Sequence, residues 1–103
     1  LDAYWVQLSG ANPVSWIQKL GSGLKVVHLK DVAIVGGDRE HFIKRPVCTT
    51  LGLGNLDIAS IVKTADAVGC EWYIVETCTD WIDNDSIRCA RESYDYLADS
   101  FCG

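Results

Sequence analysis

Apolar residues in this chain come in runs whose spacing shifts between strand-like and helical. Leu1 to Leu8 is apolar and aromatic and closes at Ser9-Gly10-Ala11, which predicts a first strand. Asn12 then stands before Pro13, a capping side chain followed by the residue whose missing N–H costs nothing in a first helical turn. Val14, Ile17 and Leu20 share one face of that predicted helix, and Gly21 stops it. Leu24 to Val32 predicts a second strand, in which Val26-Val27 leads into the polar His28, Lys30 and Asp31. Residues 33–55 contain Gly36-Gly37, Pro46, Gly52, Gly54 and the basic pair Lys44-Arg45, and predict a long irregular loop of the functional or mobile kind.

From Asp57 the helical period returns: Ile58, Ile61, Val62, Ala65 and Val68 line one face, and Gly69 follows as a C-terminal stop. Glu71 to Glu76 predicts a third strand, whose nearly continuous core Trp72-Tyr73-Ile74-Val75 is the pattern of a strand covered on both faces. Asp83, Asn84 or Asp85 can cap a last helix carrying Ile87, Ala90, Tyr94, Leu97 and Phe101. Three strands alternating with three helices imply right-handed crossovers and a parallel sheet, hence an α/β fold.

A length of 103 residues allows one domain, 1–103, whereas a complete (β/α)8 barrel takes about 250 residues. The chain is therefore expected to be either a small open sheet or the tail of a larger one. Its composition, 49% hydrophobic and 22% charged, excludes a disordered, collagen-like or coiled-coil chain. No apolar run reaches the roughly 18 residues of a membrane span, and no basic start leads into a signal-like stretch, so a soluble, cytoplasmic protein is expected. Nine Lys and Arg against fourteen Asp and Glu give a net charge of −5 without a basic cluster, which argues against a nucleic-acid partner. The five cysteines, Cys48, Cys70, Cys78, Cys89 and Cys102, are odd in number and form no C-x-x-C pair, and they read as reduced thiols. His28 and His41 are not near any of them in sequence, so no thiol–imidazole pair is suggested.

Each predicted strand carries an ionisable residue at or near its carboxyl end: Asp2, His28 and Glu76. Ligands of parallel sheets gather there, and two carboxylates with an imidazole suit Mg²⁺, Mn²⁺, Co²⁺ or Zn²⁺. From spacing alone a hydrogen-bonded core histidine and a glutamate that merely ends its strand remain open. Glu76 is the strongest of the three, because an apolar run leads directly into it.

The segments "LDAYWVQLSGANPVSWIQKL", "LKVVHLKD", "GLGNLDIASIVKTADAVGCEWYIVET" and "SYDYLADSF", taken in order, resemble the C-terminal part of the sugar phosphate isomerase/epimerase family within the xylose isomerase-like TIM barrel superfamily. The resemblance covers nearly all of the chain. It implies the end of strand six to helix eight of a (β/α)8 barrel, with Asp2, His28 and Glu76 giving three of four ligands to a divalent metal (Mn, Mg, Co or Zn). It also implies Glu76 as one of two bases that move a proton through a metal-stabilised enediolate of a sugar or sugar phosphate. The fourth ligand, a strand-five glutamate, has no counterpart here. Lys30 is expected to reach a substrate hydroxyl or phosphate, with a solvated or salt-bridged lysine beside Asp31 equally open. Trp5, with Tyr4, is expected to wall a sugar ring, with a place in the core as the alternative; His41 and Arg45 lie in the long loop, open to substrate contact or to none. Where the resembling subgroup reads glycine-glutamate-glycine, this chain has Gly52-Leu53-Gly54.

An open barrel edge would expose backbone groups and an apolar strand face, so the partners expected are a second copy of the chain or a missing N-terminal part of the same barrel. The chain on its own is expected to be inactive, and three readings compete: a metal-dependent isomerase or epimerase by lineage, a non-catalytic truncated fragment or oligomeric structural domain, and a DNA-repair endonuclease related by superfamily. The acidic charge and scarcity of histidine count against the last.

Overall fold

The computed structural model describes residues 1–36, 44–77 and 81–102. Within them the chain runs α1 (Ala3–Leu8), α2 (Pro13–Leu20), β1 (Val26–Leu29), β2 (Asp31–Val35), β3 (Arg45–Thr49), α3 (Ile58–Ala67), β4 (Trp72–Val75) and α4 (Ser86–Phe101). The expected barrel segment is overturned. Among the described residues the four strands fall into two separate two-stranded sheets, β1 parallel to β4 and β2 antiparallel to β3, and do not form one parallel sheet of alternating strands and helices.

Three local causes account for the difference. First, the Leu1–Leu8 run is a helix from Ala3 onward, because the Asp2 carboxylate accepts from the Trp5 N–H at 3.1 Å and caps it. A continuous apolar run of this length does not distinguish helix from strand, and only Asp2 stays extended, in a parallel bridge to His28. Second, the chain changes sheets at Lys30, so that one expected strand becomes β1 and β2. Third, part of the expected irregular loop is ordered as β3, which pairs Asp31 with Thr49 through Val35 with Arg45 and buries Val47 and Cys48. His41 lies outside the described residues, as does Cys78.

The expected helices and their caps are present. Asn12 accepts from the N–H groups of Val14 and Ser15 ahead of α2, Asp57 from that of Ser60 ahead of α3, and Asp85 from that of Arg88 ahead of α4. Gly69 ends α3 at φ +83°, a conformation that costs glycine little. The apolar face of α3 meets α2 and β1: Ile17, Val27, Leu29, Ile58, Ile61 and Ala65 belong to one buried cluster. A smaller cluster of Tyr4, Val32 and Cys48 lies under the antiparallel pair.

β4 departs from expectation in its surroundings. Val26 through Leu29 pair in register with Trp72 through Val75, yet Trp72 is 67% exposed and Ile74 and Val75 are exposed as well. The apolar run that predicted a strand covered on both faces is here an open face. Among the described residues Cys48, Cys70, Cys89 and Cys102 form no disulfide.

Candidate metal centre

Three chain segments lie side by side at one end of the parallel sheet. The His28 N–H donates to the Leu1 carbonyl at 2.8 Å, and the Glu76 N–H donates to the Leu29 carbonyl at 3.1 Å. This register brings Asp2, His28 and Glu76 to a common point from well-separated positions in the sequence. His28 Nδ1 is 3.0 Å from Glu76 Oε2 and 3.9 Å from Asp2 Oδ2. One possible ligand atom from each residue lies within 4.8 Å of the other two.

Donors sharing a small divalent ion at bond lengths of about 2.0–2.2 Å lie roughly 3–4.4 Å apart. The cluster is close to that spacing, and its side chains are 22–38% exposed, which leaves room to adjust and to admit a solute. Two carboxylate oxygens and an imidazole nitrogen form a donor set suited to Mn²⁺, Mg²⁺, Co²⁺ or Zn²⁺. Asp2 divides its work: Oδ1 caps α1 and Oδ2 faces the cluster. His28 Nδ1 either donates a proton to Glu76 or offers a lone pair, and it cannot do both.

Lys30 completes the arrangement. Its side chain is only 2% exposed, and its ammonium stands 3.1 Å from Glu76 Oε1 and 3.6 Å from Asp2 Oδ2. The same ammonium lies 5.4 Å from the centre of the Tyr4 ring and 5.7 Å from that of Trp5, two rings packed edge to face. Hydrogen bonds from Lys30 and then from His28 hold the Glu76 carboxyl below its ordinary value, against the opposing effect of burial. Trp5 is 59% exposed beside this cluster, so the two expected substrate contacts, Lys30 and Trp5, adjoin the expected ligands. Arg45 instead sits on β3 opposite Val35, and Leu53 is exposed in the loop after β3.

Asp31 was not singled out by the sequence as a candidate and proves to be the organiser of that loop. Its fully buried carboxylate accepts from the N–H groups of Val32, Gly52, Gly54 and Leu56 at 2.8–3.0 Å. A methyl group on Gly54 would run into this carboxylate and come within 2.5 Å of the Val32 carbonyl, so the glycine permits the close approach. The only available signal was a charged residue directly after Lys30 and a glycine-rich stretch twenty residues on.

No family model matches this chain, and no curated protein matches it. Among the described residues no helix is long and apolar enough to cross a membrane.

Proposed function

We propose that this chain is a metal-dependent isomerase or epimerase acting on a sugar or sugar phosphate, with Asp2, His28 and Glu76 holding a divalent cation and Glu76 moving the proton. The convergence of those three side chains on one point carries the reading. A divalent cation bound there would polarise a neighbouring carbonyl or hydroxyl and ease removal of the adjacent C–H proton.

The chain's own residues have distinct tasks in this scheme. In the metal-free protein Lys30 and His28 hold the Glu76 carboxyl below its ordinary value, so it stands ionised when a cation arrives. Before a metal binds, Lys30 and His28 hold opposite oxygens of that carboxylate, which fixes its plane. Asp2 Oδ2 stands 3.9 Å from His28 Nδ1 and contributes negative charge without being a base in the transfer. Trp5 offers an exposed ring to the apolar face of a sugar.

The test is proton exchange. The protein with Mn²⁺ in deuterated water, given a panel of ketoses, aldoses and their phosphates, is expected to place deuterium beside the carbonyl of its substrate. Glu76→Gln is expected to lower that rate by at least about 100-fold. Exchange that persists in Glu76→Gln, or a wild-type chain that binds no Mn²⁺, would sink the proposal.

A second reading, a non-catalytic domain that associates with its own copies, is favoured by one observation: the exposed Trp72, Ile74 and Val75 of β4. It requires concentration-dependent association in sedimentation, abolished by Trp72→Lys. A single protomer at all concentrations rules it out.

A further inference from the structure

Lys30 is a lysine with almost no exposure, placed where a metal's charge would be needed. Its ammonium meets the same two carboxylates that supply two of the three candidate ligands, Glu76 at 3.1 Å and Asp2 at 3.6 Å. Two aromatic faces, those of Tyr4 and Trp5, lie on the ammonium within 5.7 Å. Asp2 and Glu76 together carry two negative charges, and Lys30 already neutralises one of them. A buried cation of this kind is expensive to leave without partners, and so are the carboxylates it serves. An incoming divalent ion therefore does not enter a free acidic site.

We propose that Lys30 is the resident cation of this centre and that a divalent metal loads by displacing its ammonium from Asp2 and Glu76. The inference rests on the metal reading of the three ligands and adds to it how the site is kept intact and how its affinity is set. In the metal-free protein Lys30 holds the two carboxylates together at a usable spacing. When metal arrives, the tethered ammonium competes for the same oxygens, so affinity is lower than the ligand set alone would give. Trp5 is exposed and Tyr4 buried, which makes the Trp5 side the direction in which the ammonium can leave.

Calorimetric titration of Mn²⁺ into wild type, Lys30→Met and Lys30→Arg tests this directly. Lys30→Met is expected to bind Mn²⁺ at least about 10-fold more tightly than wild type, because one positive charge no longer competes at close range. Lys30→Arg, which keeps the charge, is expected to stay within about threefold of wild type. Without metal, Lys30→Met is expected to melt at a lower temperature than wild type, and Mn²⁺ is expected to recover more of its stability. Binding in all three proteins with Lys30→Met no tighter than wild type overturns the displacement while leaving the metal site standing. Absence of Mn²⁺ binding in all three overturns the metal site and the displacement with it. Should Lys30→Met fail to fold, the wild type with ¹⁵N-labelled lysine decides the matter. Saturating Zn²⁺ is expected to shift the Lys30 ammonium resonance and speed its proton exchange, and an unmoved resonance overturns the proposal.

Discussion

At the scale of single residues, two carboxylates do different work. Asp31 is a structural acid whose two oxygens each accept from two backbone N–H groups. Replacing one oxygen with an amide group aims donors at donors, so Asp31→Asn is expected to destabilise the protein by about 3 kcal/mol in urea unfolding. A loss below about 1 kcal/mol would mean that the loop holds its shape without the charge. Glu76 behaves as a tuned acid. Because Lys30 and His28 lower its pKa in the folded state, its contribution to stability is present above the ordinary carboxylate value and is lost as pH falls through the folded one. In the presence of a chelator, the wild type is therefore expected to lose stability more steeply than Glu76→Gln below about pH 4.3. Parallel acid profiles for the two proteins would contradict that ordering. Glu76 was legible in the sequence because it ends an apolar extended run and His28 because it interrupts one, whereas Asp2 opens its run and only its residue type marked it. Asp31 was not legible, because three of its four partners are backbone groups 21–25 residues away that no local pattern reveals.

At the scale of elements, α2, α3 and α4 were readable with their caps, and α1 and the sheets were not. Asn12, Asp57 and Asp85 each cap within three residues, so the signal and the structure it specifies are both local. The first apolar run reads equally well as a strand or as a helix, and the single aspartate ahead of it decides in favour of α1. Strand partners are settled by long-range packing, which is why a break at Lys30 and an antiparallel pair in place of a loop could not be read from spacing. The attachment of α4 provides a test at this scale. Ser93 is buried and accepts from the Leu51 N–H at 3.2 Å, while Tyr96 packs against Gly52, which has φ +86°. A methyl group at Gly52 would approach the Tyr96 ring to 2.6 Å. Gly52→Ala is thus expected to cost at least about 2 kcal/mol from the left-handed backbone alone, with the ring displaced in addition. Hydrogen exchange is the readout of choice: amides of α4 should lose protection before those of β1 and β4. Uniform loss across the protein would show α4 to be integral to a single unfolding unit.

At the scale of the whole molecule, the proposed centre is a by-product of folding, since its ligands stand at positions 2, 28 and 76 and meet only when β4 lies beside β1. The unfolded chain has no such arrangement, so a cation that binds the centre must stabilise the fold by linkage. Free Mn²⁺ at 100 times its dissociation constant is expected to raise the free energy of unfolding by about 2.7 kcal/mol. The rise should appear as a shift of the urea midpoint with little change in slope, because the surface exposed on unfolding stays the same. His28→Ala removes the imidazole yet leaves both carboxylates and Lys30 in place, and most of the increment should vanish in that variant. A similar increment in wild type and His28→Ala would place the ion elsewhere on this acidic molecule. No increment in the wild type, at a concentration where calorimetry detects binding, would mean that the ion prefers the unfolded chain as much as the folded one, which a site assembled from three distant segments does not permit.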